Sequence, residues 1–99
     1  MAAAERILLR NSDRRKKGAR IARDQYDIAR RAALATLPAT GPGMTLTDFR
    51  ERVARRLARA KGWDKDASAS WYSMAIKLDL EARGEITRVG KAPQRLVRG

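Results

Sequence analysis

Apolar residues recur with helical spacing in three separate stretches of this chain. In the first, Asp24 to Leu37, the residues Tyr26, Ala29, Ala33 and Leu37 follow i, i+3, i+7 and i+11, while Ile28, Ala32 and Ala35 line a second side. Apolar residues on two sides predict a helix packed between other elements. Asp24 stands where its carboxylate could accept from the free amides of the first turn, with Asp27 adding favourable charge for the dipole, and Pro38 stops continuation. In the second stretch Leu46, Phe49, Val53, Leu57 and Ala60 form one stripe, opened by Thr45 as N-cap with Asp48 behind it and closed by Gly62. The third runs from Ser68 to Arg83. At 100° per residue, Trp71, Met74, Ala75, Leu78 and Ala82 fall on one side with Tyr72, Ile76 and Leu80 next to it, leaving Ser70, Ser73, Lys77 and Glu81 as the polar strip. Trp63, Trp71, Tyr26 and Tyr72 accordingly read as core and corner-packing residues rather than base-stacking platforms.

Between and beyond these stretches the pattern is shorter. Ile7, Leu8 and Leu9 precede a polar run, Asn11-Ser12-Asp13-Arg14-Arg15-Lys16-Lys17-Gly18, rich in turn formers, and Ala19 to Ala22 follow it. Two extended pieces joined by a basic loop fit this pattern, and a short helix from Ala2 to Arg10 is the competing reading. Ala39 to Gly43 is a loop by composition. After Gly84, residues Glu85 to Val89 and Gln94 to Arg98 predict two short strands around Gly90-Lys91-Ala92-Pro93, with Ile86 and Leu96 facing inward. The expected fold is a small, mainly α domain with a minor β component (α+β): three helices and a C-terminal β-hairpin over residues 24–99, preceded by a basic arm or extended hairpin over residues 1–23.

Composition narrows the chemistry. Of the 43% apolar residues, 18 are Ala, so a modest set of larger side chains builds one small core in a 99-residue chain. With no His and no Cys, a thiolate nucleophile, a disulfide framework, the commonest general base and the commonest zinc ligands are all missing, so the expectation is a protein that is not an enzyme and takes no cofactor or metal. No stretch approaches the ~20 apolar residues of a spanning helix, so the expected location is the cytoplasm of a bacterial-type cell, without membrane or small-molecule partners.

Charge changes the picture most. The net +12 is distributed unevenly: residues 1–23 carry +6, residues 44–66 and 84–99 carry +3 each, and the stretches 24–43 and 67–83 are neutral. The four adjacent cations Arg14, Arg15, Lys16 and Lys17 are more readily explained by a polyanionic partner than by solubility. On the second helix, Arg52, Arg55, Arg56 and Arg59 share a face. Asp48 with Arg52 and Glu51 with Arg55 form i,i+4 pairs that account for half of it as helix support, so this face reads as solvated structure.

Helix, helix, turn, helix and a two-stranded hairpin is the order of a winged helix-turn-helix domain. The segment Leu80-Glu81-Ala82-Arg83-Gly84-Glu85-Ile86, together with Asp24-Gln25-Tyr26, Leu37-Pro38, Gly43-Met44-Thr45, Ser70-Trp71-Tyr72, Lys77-Leu78-Asp79-Leu80 and Lys91-Ala92-Pro93-Gln94-Arg95-Leu96, resembles small bacterial winged helix-turn-helix proteins of mostly unassigned role. That resemblance implies a third helix that enters the major groove and a wing that reaches the backbone or the minor groove. Carried onto this chain, it makes Ser68, Ser70, Ser73 and Lys77 the third-helix contacts and Arg88, Lys91, Gln94 and Arg95 the wing contacts. The polar strip of that helix offers no Arg, Asn or Gln for a bidentate base contact, so phosphate contacts are expected to outweigh base readout. The leading expectation is therefore a double-stranded DNA-binding protein, a small regulator or nucleoid-associated factor, with a homodimer compatible with that role. The alternatives are a protein-interaction module that docks its apolar third helix on a partner or a second copy, and an RNA-binding protein.

Overall fold

The computed structural model describes residues 6–10, 20–90 and 95–99. Strands β1 (Arg6–Leu8) and β2 (Arg20–Ala22) pair antiparallel and lead directly into helix α1 (Arg23–Thr36). A two-residue strand β3 (Met44–Thr45) precedes helix α2 (Leu46–Arg59), and a turn leads to helix α3 (Ala69–Ala82). Strands β4 (Ile86–Val89) and β5 (Arg95–Arg98) close the chain. The described residues thus form an α+β domain of three helices and two small antiparallel sheets, one ordered β1-β2 and the other β3-β5-β4. The paired N-terminal strands favour the hairpin over the competing helix in that region.

The helix stripes become the core. Tyr26, Ala29, Ala33 and Leu37 of the first stripe are buried, and Phe49, Val53 and Leu57 of the second are fully so. Thr45 caps α2 as its pattern predicts, its hydroxyl accepting from the Asp48 amide at 3.3 Å. Helix α1 departs from expectation at its start. Its N-cap is Ala22 without a side-chain bond, and Asp24 sits inside the first turn, accepting from the adjacent Gln25 amide. Ile86 and Leu96 face inward, as their alternation predicts.

Strand β3 lacks a sequence signal because two residues carry no period. Its position depends on Gly43, whose φ of +83° lies in the left-handed region, and where a Cβ would come within 2.9 Å of the Arg95 Cβ and 3.0 Å of the Leu96 carbonyl oxygen. Glycine is needed there on both counts. From the other side, an Arg95 guanidinium N–H donates to the Gly43 carbonyl oxygen at 3.3 Å.

Helix α3 is rotated relative to expectation. Ser73, placed on the polar strip by pattern, is fully buried, and Lys77 is only 6% exposed, whereas Trp71, placed in the core, is 47% exposed. The helix turns Ile76, Leu80 and the small Ser73 inward, toward a bundle that also buries Ala29 and Ala33 of α1 completely. Small residues allow close helix approach, and Ser73 satisfies its hydroxyl locally by donating to the Ser70 carbonyl at 2.8 Å. Lys77 tolerates burial because its ammonium lies 2.8 Å from the Glu81 carboxylate one turn on.

Candidate nucleic-acid interface

The six predicted contact residues that fall within the described structure are each held by an internal bond. Ser68 is the N-cap of α3, its Oγ accepting from the Trp71 amide at 3.1 Å. Ser70 accepts from an Arg50 guanidinium N–H at 2.6 Å, tying α3 to α2. Ser73 and Lys77 are buried, which corrects their assignment to a solvent-facing strip. Arg88 grips Glu81 in a bidentate arrangement, Nε to Oε1 at 3.0 Å and Nη2 to Oε2 at 2.8 Å, so strand β4 is clamped to α3. Burial pushes the Glu81 carboxyl up, but the hydrogen bonds from Arg88 and Lys77 outweigh it and hold the group below the ordinary carboxylate range. Arg95 braces the Gly43 loop. The remaining candidates, Arg14, Arg15, Lys16, Lys17, Lys91 and Gln94, lie outside the described residues.

Beside the exposed Ser70, α3 turns an apolar face outward. Met74, Leu78, Trp71, Ala82 and Ala75 occupy an outward arc of about 100° on the helix, and that arc holds no charged residue. Apart from the Trp71 indole N–H, that arc offers no donor and no acceptor for a bidentate contact to base edges.

The basic surface lies elsewhere. On α2 the buried residues Phe49, Val53 and Leu57 fix one side of the helix as inward, which turns Arg52, Arg55, Arg56 and Arg59 together to the exposed side. These four line a shallow open depression. Next to it, a second depression between α1 and α2 is lined by Ile28, Arg31, Ala32, Ala35, Arg56, Ala60 and Lys61, so Arg31 and Lys61 extend the positive surface. The pairs expected to neutralise this face do not close. Among the described residues the ion pairs are Arg30–Glu85, Lys77–Glu81, Arg83–Asp79 and Arg88–Glu81, and none involves Asp48, Glu51 or the four arginines. The sequence signal was present as Arg spacing of three, one and three, but the neighbouring acids, read as partners, masked it.

A different set of charges is consumed by the frame. Arg30 donates to Glu85, and this bond lowers the Glu85 carboxyl and raises the guanidinium. Asp79 is fully buried and accepts from the Tyr26 hydroxyl at 2.6 Å, from Arg83 Nε at 2.9 and 3.0 Å, and from the Arg10 backbone amide at 2.7 Å. This carboxylate joins α3 to α1 and to the chain just after β1. The Arg83 guanidinium also lies 5.5 Å from the Tyr26 ring centroid.

Residues 6–96 match a single family. The chain belongs to DUF6958, a family of unknown function. The match spans all three helices, strands β1 to β4 and the start of β5, so the arginine face of α2, the apolar face of α3 and the Asp79 junction all belong to the DUF6958 region. No curated protein and no solved structure matches the chain. Among the described residues, no helix of the DUF6958 domain is long and apolar enough to cross a membrane.

Proposed function

We propose that this DUF6958 domain is a duplex DNA-binding protein of the winged helix-turn-helix type that holds the phosphate backbone with the arginine face of α2 rather than reading bases with α3. The observation that carries this reading is the exposed cluster of Arg52, Arg55, Arg56 and Arg59, free of ion pairs among the described residues and flanked by Arg31 and Lys61. Guanidinium groups bind phosphate in a bidentate fork, and four on one helix face match a polyanion better than any single small anion. The connectivity α1-β3-α2-α3-β4-β5, with the sheet ordered β3-β5-β4, supports the winged-helix assignment. The +6 carried by residues 1–23 adds a second source of backbone affinity. With contacts mainly to phosphate, the role that fits is a nucleoid-associated factor or a regulator of modest sequence preference.

Backbone binding has a defined salt signature. If about six phosphates are neutralised, the logarithm of affinity falls with the logarithm of salt at a slope of about −5. Fluorescence anisotropy of a labelled random duplex across a salt series measures it, and a flat response contradicts the proposal. Structured RNA of equal length serves as competitor: preferential displacement by RNA would move the ligand to RNA.

A further inference from the structure

Among the described residues, nothing covers one apolar face of helix α3. Trp71 is 47% exposed, and Met74, Ala75, Leu78 and Ala82 beside it are half-buried. At the C-terminal half of the helix β1 runs alongside, since the Leu8 carbonyl accepts from Arg83 Nη2 and the Arg10 amide donates to Asp79, and Leu8 itself is 48% exposed. Contiguous exposed apolar surface on a small domain marks an interaction site.

We infer that this face is the interface of a homodimer, in which α3 packs antiparallel against α3 of a second copy across a two-fold axis. Charge is the first argument. The chain carries +12, and wherever the arginines of α2 or the basic termini face their own counterparts, two copies repel. The stretch 67–83 is neutral, and the outward arc of α3 has no charged residue, so here two copies meet without that penalty. The second argument is shape. A two-fold interface must be self-complementary. In antiparallel register Trp71 falls opposite Ala82 of the second copy and Leu78 opposite Ala75, a large side chain facing a small one in both cases. In this register the two helix dipoles also oppose.

The size of the surface sets the strength. A 14-residue helix is about 21 Å long. One such face with Leu8 at its edge buries less than the roughly 800 Å² per partner of a standard interface, the size of a weak, reversible association. The arginines of α2 lie outside this face. Two copies therefore keep two separate arginine faces uncovered.

Sedimentation equilibrium in high salt, over concentrations from about 1 to about 500 μM, tests the dimer directly. The unmodified protein is expected to pass from monomer to dimer, with a concentration-dependent blue shift in tryptophan emission as Trp71 leaves water. Leu78→Glu and Trp71→Glu are each expected to weaken dimerisation at least about tenfold, with helical circular dichroism retained. Both substitutions lower the net positive charge, so a general charge effect would strengthen association instead. A monomer at every concentration would overturn the inference and give the face to another partner. Either folded variant dimerising as tightly as the unmodified chain would overturn it equally. Because no nucleic acid is present, the outcome is separate from that of the duplex titration.

Discussion

Replacing Arg52, Arg55, Arg56 and Arg59 by Ala is expected to weaken duplex binding by about two to three orders of magnitude at moderate salt, and to flatten the salt slope from about −5 to between about −1 and −2. Every phosphate that is no longer neutralised takes about 0.9 off the slope, so four arginines account for the change. The folded state should survive. These side chains are exposed, make no ion pair among the described residues, and Ala is the strongest helix former. Arg56 and Arg59 do favour the negative end of the helix dipole, a contribution of about 0.3–1 kcal/mol each, far below the expected binding loss. Anisotropy titrations and a thermal melt on the same preparation separate the two effects. Unchanged affinity would show that the arginines are a solvated helix face and nothing more.

The largest effect on stability is expected at Asp79. Asp79→Ala removes the acceptor shared by Tyr26, Arg83 and the Arg10 amide, leaving a buried hydroxyl and a partly buried guanidinium without their partner. Breaking such a pair costs about 3 kcal/mol, toward the low end for buried pairs because Arg83 retains some access to water. For a domain of this size that lowers the melting temperature by about 15 °C. Tyr26→Phe loses one hydrogen bond and is expected to cost about 1–2 kcal/mol. The Tyr26 phenol is pushed up to about 12 by burial first and by its bond to Asp79 second. A folded-state value above the unfolded one means the contribution is intact below about pH 10 and is lost as pH rises toward 12. Tyr26→Phe should therefore flatten the decline of stability over that alkaline window. Urea melts at neutral and alkaline pH measure both quantities, and an Asp79→Ala protein as stable as the parent would contradict the role given to this carboxylate.

The same junction shows where local pattern stopped being informative. Tyr26, Phe49, Val53 and Leu57 were legible because each helix repeats its core face every three or four residues, and Thr45 was legible because a cap is decided within four residues. Asp79 was not: Arg83 stands one turn on, but the Tyr26 and Arg10 partners that make it a junction lie 53 and 69 residues away in sequence. The rotation of α3 was lost for a related reason. Its apolar arc is so wide that periodicity left only a narrow polar strip of Ser70, Ser73, Lys77 and Glu81 to set the orientation, and that strip pointed to the wrong side. Packing chose the side with small Ser73, and the buried Lys77 found Glu81 within its own helix, a carboxylate that Arg88 of β4 also holds. The basic face of α2 failed in the opposite sense. Sequence spacing offered Asp48 and Glu51 as partners for Arg52 and Arg55, yet exposed pairs of this kind gain only a few tenths of a kcal/mol, too little to hold two long side chains together.

The central claim is that the arginine face of α2 meets the duplex while α3 does not. An amide-shift titration with a short random duplex, read residue by residue, addresses it directly. The expected result is perturbation concentrated at Arg52 through Lys61 and at Arg31, with Trp71 through Ala82 unchanged once the dimer is saturated. Shifts centred on Ser68 to Lys77 and Arg88 to Arg95, with α2 silent, would contradict it and restore α3 as the element that enters the groove.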